Sequence, residues 1–234
     1  VIKNLSILGF ILSCIMLEAQ HPFSLQGDQE AKTLSFSHLT RMNGLPSNRV
    51  REMVQDFQGY IWIATDNGLA RYDGKIIKVF QRRENDPGSL CDNGVFSLME
   101  TGDSLIWVGT GDGISIYNPL TGDFRSFTCF GKKGSLFPVQ GVNCFLEDQD
   151  ESVWIGTTNG LVHARGKNGP FTYYAIQHSN IKTDREYSFR FISKIIQDPF
   201  DTNRLLLGTL GGLIQFDKKM GRITRDYGQI SENG

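Results

Sequence analysis

One eight-residue phrase recurs four times along the chain, and few architectures can use such a repeat. Trp62-Ile63-Ala64-Thr65-Asp66-Asn67-Gly68-Leu69 returns as Trp107-Val108-Gly109-Thr110-Gly111-Asp112-Gly113-Ile114 and again as Trp154-Ile155-Gly156-Thr157-Thr158-Asn159-Gly160-Leu161. A fourth copy, Leu206-Leu207-Gly208-Thr209-Leu210-Gly211-Gly212-Leu213, has lost its tryptophan. Successive copies lie 45, 47 and 52 residues apart. A period of roughly 40–50 residues marks a propeller or another repeat array, because each unit must bury its apolar face against the next.

Within each unit the pattern reads as four short strands. In the first, Val50 to Asp56 alternates and suits an inner strand, while Tyr60 to Thr65 is nearly continuous apolar chain, as in a strand buried on both faces. The Asn67-Gly68 pair suits a hairpin turn with positive φ at both central positions. Leu69 to Asp73 returns, and Lys75 to Phe80 makes the outer strand. The expected fold is all-β: a propeller of four-stranded antiparallel blades, about four in number, forming an open partial ring. The expected blades are 45–80, 90–128, 138–176 and 188–227, with a lone outer strand at 34–40 and the start of a further repeat at 228–234.

The repeated residues read as structural. Trp62, Trp107 and Trp154 fill the gaps between blades, with Leu206 leaving the fourth interface smaller or differently filled. Gly68, Gly113, Gly160 and Gly212 belong to the hairpin turns, and Ala64, Gly109, Gly156 and Gly208 would admit the backbone of a neighbour. Asp56, Asp148 and Asp198, with Thr101 in the second unit, recur at the ends of the inner strands. There they either cap the following turn or converge as carboxylates around a channel.

At the N-terminus, Lys3 precedes an apolar stretch from Leu5 to Leu17, and Glu18-Ala19-Gln20 follows. This pattern fits a secretory signal over 1–19, cleaved after Ala19, with a linker at 20–33. Ile11-Leu12-Ser13-Cys14 also reads as a loose lipoprotein box acylated at Cys14, and a buried N-terminal element is the third reading. Export places Cys91, Cys129 and Cys144 where a disulfide is permitted, although no spacing resembles a redox or zinc motif, and small buried thiols are the alternative. A formal net charge of −1 argues against nucleic acid as a partner.

Catalytic constellations are sparse in the sequence. The four histidines are scattered, with no metal-ligand spacing, no nucleophile elbow and no glycine-rich phosphate loop, so neither a metal nor a cofactor is expected. Propeller ligands commonly meet the loops at one mouth of the channel. Asn48, Arg49, Asn93, Gln140 and Arg190, just before the inner strands, are therefore the candidate binding rim, unless they serve only local backbone groups. Tyr173, Tyr174 and Tyr187 are candidates to stack on a sugar ring.

The repeated phrase, with the lead-in Phe36 to Thr40, the segment Asn43 to Val50 and the core from Gly59 to Asp73, resembles the two-component regulator propeller repeat. That repeat builds the periplasmic sensor region of hybrid two-component systems best known from the Bacteroides group. The resemblance implies a many-bladed sensor region followed by a membrane span, histidine kinase, receiver and DNA-binding regulator, with carbohydrates as typical signals for polysaccharide-utilisation genes. No kinase motif or second apolar span occurs in this sequence, so kinase activity is not implied for it. Ile230 to Gly234 resembles Thr40 to Gly44, and the chain reads as stopping at the threshold of a fifth repeat. The expected function is a periplasmic sensing module, or a fragment of one. Its partners would be an oligosaccharide or other small ligand, and the remainder of a sensor chain or a second copy. A secreted interaction scaffold, or less readily a propeller lyase or lactonase, is the alternative.

Overall fold

A computed structural model describes residues 36–128, 141–176 and 186–227. The expected signal segment, linker and residues 228–234 lie outside the described residues, as do Cys129 and Gln140. The described chain from Leu39 onward forms four four-stranded antiparallel sheets, each ordered as its strands follow in sequence. Blade 1 comprises β1 (Val50–Gln55), β2 (Ile61–Thr65), β3 (Gly68–Tyr72) and β4 (Ile77–Phe80). Blade 2 comprises β5 (Val95–Glu100), β6 (Ile106–Thr110), β7 (Gly113–Asn118) and β8 (Asp123–Thr128). Blade 3 comprises β9 (Val142–Glu147), β10 (Val153–Thr157), β11 (Gly160–Ala164) and β12 (Phe171–Tyr174). Blade 4 comprises β13 (Ile192–Gln197), β14 (Arg204–Thr209), β15 (Gly212–Asp217) and β16 (Arg222–Asp226). A short helix, α1 (Glu186–Arg190), precedes β13 where the sequence reading had a loop.

The inner strands pack side by side in order, β1 on β5, β5 on β9 and β9 on β13, which makes a partial propeller. Residues on the leading face of each blade meet the trailing face of the next. Trp62, Ala64 and Leu69 pack with Val95, Leu98 and Tyr117; Trp107 and Ile114 with Val142, Phe145 and Ile155; Trp154 and Leu161 with Ile192, Leu207 and Phe216. The central strands β6 and β10 are buried along their whole length, as their continuous apolar sequence requires. At the ends of the arc the same positions are open. Val50 and Met53 on β1, Ile196 on β13 and Leu213 on β15 are exposed. The arc is therefore open, with Leu45 covering only part of the blade 1 face around Ile63 and Ala70.

Residues 36–40, expected within a lone outer strand, form no strand. Thr40 instead caps a 3-10 turn at Arg41–Asn43, its hydroxyl accepting from the Met42 N–H while the Asn43 carboxamide accepts from the Thr40 N–H.

Candidate functional site

The repeated threonine has a role that packing arguments did not reach. Thr65 Oγ donates to the Gly68 carbonyl at 2.7 Å and accepts from the Asn67 N–H, closing the β2–β3 turn. Thr110, Thr157 and Thr209 do the same for Gly113, Gly160 and Gly212. This replaces the expected positive-φ pair: Gly68 alone takes φ +127°, and Asn67 does not. A Cβ on Gly68 would also sit 2.8 Å from the Phe80 carbonyl oxygen, so the position excludes any side chain twice over.

The repeated aspartates are turn caps and indole acceptors together. Asp56 Oδ1 accepts from the Tyr60 N–H at 2.9 Å, and its Oδ2 accepts from Trp62 Nε1 at 2.7 Å. Asp148 caps through the Gln149 N–H and accepts from Trp154 Nε1 at 2.9 Å. Asp198 caps through the Phe200 N–H. Leu206 offers it no indole, and the Gln215 side-chain amide takes over that bond at 2.9 Å. Burial alone would raise the Asp148 carboxyl, but the Lys218 ammonium at 2.6 Å and the Trp154 N–H prevail and hold it below the usual carboxylate range. The expected close approach at Gly109 and Gly156 is real, but it comes from side chains. A Cβ on Gly109 would lie 2.6 Å from Val142 Cγ1, and one on Gly156 would lie 2.8 Å from Ile192 Cγ2. These repeated residues are committed to building blades.

At one end of the inner strands the loops preceding β1, β5, β9 and β13 meet the β2–β3, β6–β7, β10–β11 and β14–β15 turns. At this mouth Asp66 faces two guanidinium groups, Arg51 Nε at 2.6 Å from Oδ1 and Arg49 Nε at 3.3 Å from Oδ2. Arg51 also lies 5.5 Å over the ring of half-buried Phe96. Next to that ring the Asp92 carboxylate lies beside Gly94 and Gly111, 3.2 and 2.8 Å from where a Cβ on each would stand. The Asp112 carboxyl is pushed up by burial and by the Asp92 charge, with Arg82 acting in the opposite sense. An aromatic face, guanidinium groups and carboxylates can together accept, donate and stack.

Of the sequence-expected rim residues, Asn48, Arg49, Asn93 and Arg190 are among the described residues and have different duties, and Gln140 lies outside them. Asn48 Oδ1 accepts from the Arg41 N–H and Asn93 Oδ1 from the Arg82 N–H, so both serve local loop backbone. Arg49 keeps 70% of its side-chain surface beside Asp66. Arg190 ends α1, half-buried. Arg51, Asp66, Phe96 and Asp112 escaped the reading because they sit inside the strands and turns of the repeat. Their one visible signal was variation at fixed repeat positions: Arg51, Phe96, Asn143 and Ser193 are equivalent. Of the tyrosines, Tyr174 packs against Trp154 and Phe216, and Tyr173 donates from its hydroxyl to the Asn159 carbonyl. The side chain of Tyr187 lies outside the described residues.

Cys91 and Cys144 are free, buried thiols. Burial pushes Cys144 up to about 12. His163 stacks on Trp154 at 4.1 Å and shares a hydrogen bond with Ser152 Oγ, and burial lowers its pKa. Among the described residues no three His, Cys, Asp or Glu side chains are grouped to hold a metal ion. No described helix is long and apolar enough to cross a membrane.

Comparison with known proteins returns the two component regulator propeller family over residues 44–67 and 136–159. These segments run from the lead-in through the first hairpin of blades 1 and 3, the two blades that keep both members of the Asp–Trp pair. The extracellular domain of a putative hybrid two component system from B. thetaiotaomicron is similar in structure, with TM-score 0.66 and 21% identity over 81% of this chain and 26% of its own. A second such domain from the same organism gives 0.59 and 24% over 76% of this chain and 23% of its own. This chain thus spans about a quarter of the length of those domains. Virginiamycin B lyase from Staphylococcus aureus shares the fold at TM-score 0.54 and 17% identity, over 77% of this chain and 56% of its own. No curated protein sequence matches the chain.

Proposed function

We propose that this chain, which carries the two-component regulator propeller repeat, is part of the ligand-sensing region of a hybrid two-component sensor. It is exported, binds an oligosaccharide or other small periplasmic ligand without turning it over, and thereby controls polysaccharide-utilisation genes. The observation that carries this reading is the division of labour among its residues. Repeated side chains close turns and blade interfaces, while Arg51, Asp66, Phe96 and Asp112 form a varied polar and aromatic patch at the mouth. Such a patch offers the few convergent polar groups and apolar face that small-ligand sites use. Capture there draws on residues from two blades, so it can bias their relative placement, which is what a sensor must transmit.

The exposed apolar faces of blades 1 and 4 support a protein contact as well. The remainder of a sensor chain or a second copy is the partner these faces suit, and a secreted scaffold is the second reading. Calorimetric titration with a panel of oligosaccharides, followed by chromatography of the recovered sugar, separates the readings. Saturable binding with unchanged sugar is expected. Turnover would replace the sensor by an enzyme, and silence toward every sugar would leave the scaffold.

A further inference from the structure

Each join between blades repeats one fit of knob and recess. Val95, Val142 and Ile192, each the first residue of an inner strand, are fully buried against the blade before. Val142 and Ile192 stand over Gly109 and Gly156, where an added Cβ would lie 3.0 and 3.2 Å from their own Cβ atoms. Val50 begins β1 in the same way, but it is 41% exposed. Met53 is 63% exposed where its equivalents Leu98, Phe145 and Ile195 are buried. At the other end of the arc Gly208 keeps the recess, the nearest atom to an added Cβ being Ser193 Oγ at 3.6 Å. Leu213 on the same face is 42% exposed where Leu69, Ile114 and Leu161 are fully buried. Glycine within a strand costs chain entropy, and no neighbour within the single chain calls for it at Gly208. Among the described residues this leaves one knob without a recess and one recess without a knob.

The two open faces match in other respects. Blades 1 and 2 are tied by the Glu100 carboxylate, which accepts from the Phe57 N–H at 3.1 Å, and blades 2 and 3 by Glu147, which accepts from the Gly102 N–H at 3.0 Å. The equivalent positions on the open faces hold Pro199, which has no N–H, and Gln55, which is uncharged and donates to the Gly59 carbonyl of its own turn. Joining them buries neither an unmet N–H nor an unmet carboxylate. The Val142 and Ile192 carbonyls accept from Ser97 Oγ and Asn143 Nδ2 of the preceding blade at 3.1 and 3.0 Å, and Lys194, equivalent to Ser97, carries a donor for Val50. Met53, long and adaptable, suits Leu206, which lacks the bulk of the tryptophans in the other three blades. We propose that blade 4 of one chain receives blade 1 of a second copy, with Val50 entering the recess at Gly208. Knob and recess lie at opposite ends of the arc, so the contact runs head to tail. Made twice about a two-fold axis along the channel, it closes two sets of four blades into a ring of eight and leaves neither apolar face open to water. This deepens the reading of these faces as contact surfaces and does not depend on ligand capture at the mouth.

Sedimentation velocity of the full chain, from dilute to concentrated, should show a single chain passing to a dimer with no larger species. Val50→Asp should weaken that dimer at least tenfold while leaving the circular dichroism and the urea midpoint of the dilute, single chain unchanged, because it alters an exposed side chain. Gly208→Ala should weaken pairing as well, even though it steadies the dilute chain. Leu120→Asp, on the exposed β7–β8 turn, should leave pairing as it is. The register is read by oxidising an equal mixture of Val50→Cys and Gly208→Cys chains. The Cβ separations at the internal joins come close to the ~3.5–4.5 Å that a disulfide spans, so a link between positions 50 and 208 of different chains should form in the mixture. A single chain at every concentration, a dimer that survives Val50→Asp, a ladder of open oligomers, or a 50–50 or 208–208 link in place of the mixed one overturns the proposal. Calorimetric sugar binding by a chain that stays single leaves capture at the mouth standing and removes the pairing. A dimer silent toward every sugar does the reverse.

Discussion

Adding one methyl group at equivalent positions of the repeat should have opposite effects, depending on whether a further blade packs there. Gly109 and Gly208 occupy the same place on β6 and β14. A Cβ at Gly109 would lie 2.1 Å from Ser97 Oγ, 2.6 Å from Val142 Cγ1 and 3.0 Å from Val142 Cβ. The serine hydroxyl can rotate away, but Val142 Cβ is fixed by the blade 3 backbone, so the interface must open. Overpacking of this kind costs about 1–3 kcal/mol. At Gly208 the nearest atom, Ser193 Oγ, is 3.6 Å away, an ordinary contact. There the loss of glycine's chain entropy should stabilise by about 0.5–1 kcal/mol. Gly109→Ala is therefore expected to lower, and Gly208→Ala to raise, the urea midpoint, with thermal midpoints moving about 2–4 °C per kcal/mol for a chain of this size. Gly156→Ala should follow Gly109→Ala, since Ile192 Cβ lies 3.2 Å from its added methyl. Equal effects at Gly109 and Gly208 would refute the argument that these glycines make room for the neighbouring blade.

Asp56→Ala strips acceptors from the buried Trp62 N–H and the Tyr60 N–H, and should cost about 1–3 kcal/mol for each group left unmet, whereas Asp56→Asn, which keeps an acceptor, should cost less in the same urea titration. Asp148 has a lowered pKa in the fold, so its contribution to stability is present above the ordinary carboxylate range and is lost as pH falls through the lowered value. Asp148→Asn should thus be less stable than wild type at pH 7, with the gap closing below about pH 4, as followed by unfolding midpoints across pH. Maleimide should leave Cys91 and Cys144 unlabelled in the native chain and label both in urea, as mass spectrometry of peptides will show, because burial keeps both thiols protonated.

The architecture was legible because its cause is periodic. A Trp or Leu, a small residue and a Thr-x-x-Gly turn every 45 to 52 residues leave little besides a blade, and strands such as β5, β8 and β10 fall where alternation and turn residues put them. The hydrogen bonds beneath that pattern were less legible. The turn-closing bond of Thr65 was hidden because a hydroxyl closing its own turn has no signature apart from the glycine three residues on. The Asp56–Trp62 bond spans a turn, and the exchange of Trp for Gln215 in blade 4 joins residues on different strands, which one sequence does not pair. The mouth was the least legible part. Arg51 and Phe96 are separated by 45 residues and meet only once β1 lies beside β5, and ordinary loop chemistry drew attention to Asn48 and Asn93 instead.

With ligand capture assigned to the varied residues of the mouth and blade construction to the repeated ones, the two roles should separate on mutation. Calorimetry of Phe96→Leu beside wild type, with the tightest-binding oligosaccharide of the panel, tests it most directly. At least a tenfold loss of affinity is expected, with an unfolding midpoint close to that of wild type. Unchanged affinity in a folded Phe96→Leu chain would contradict it.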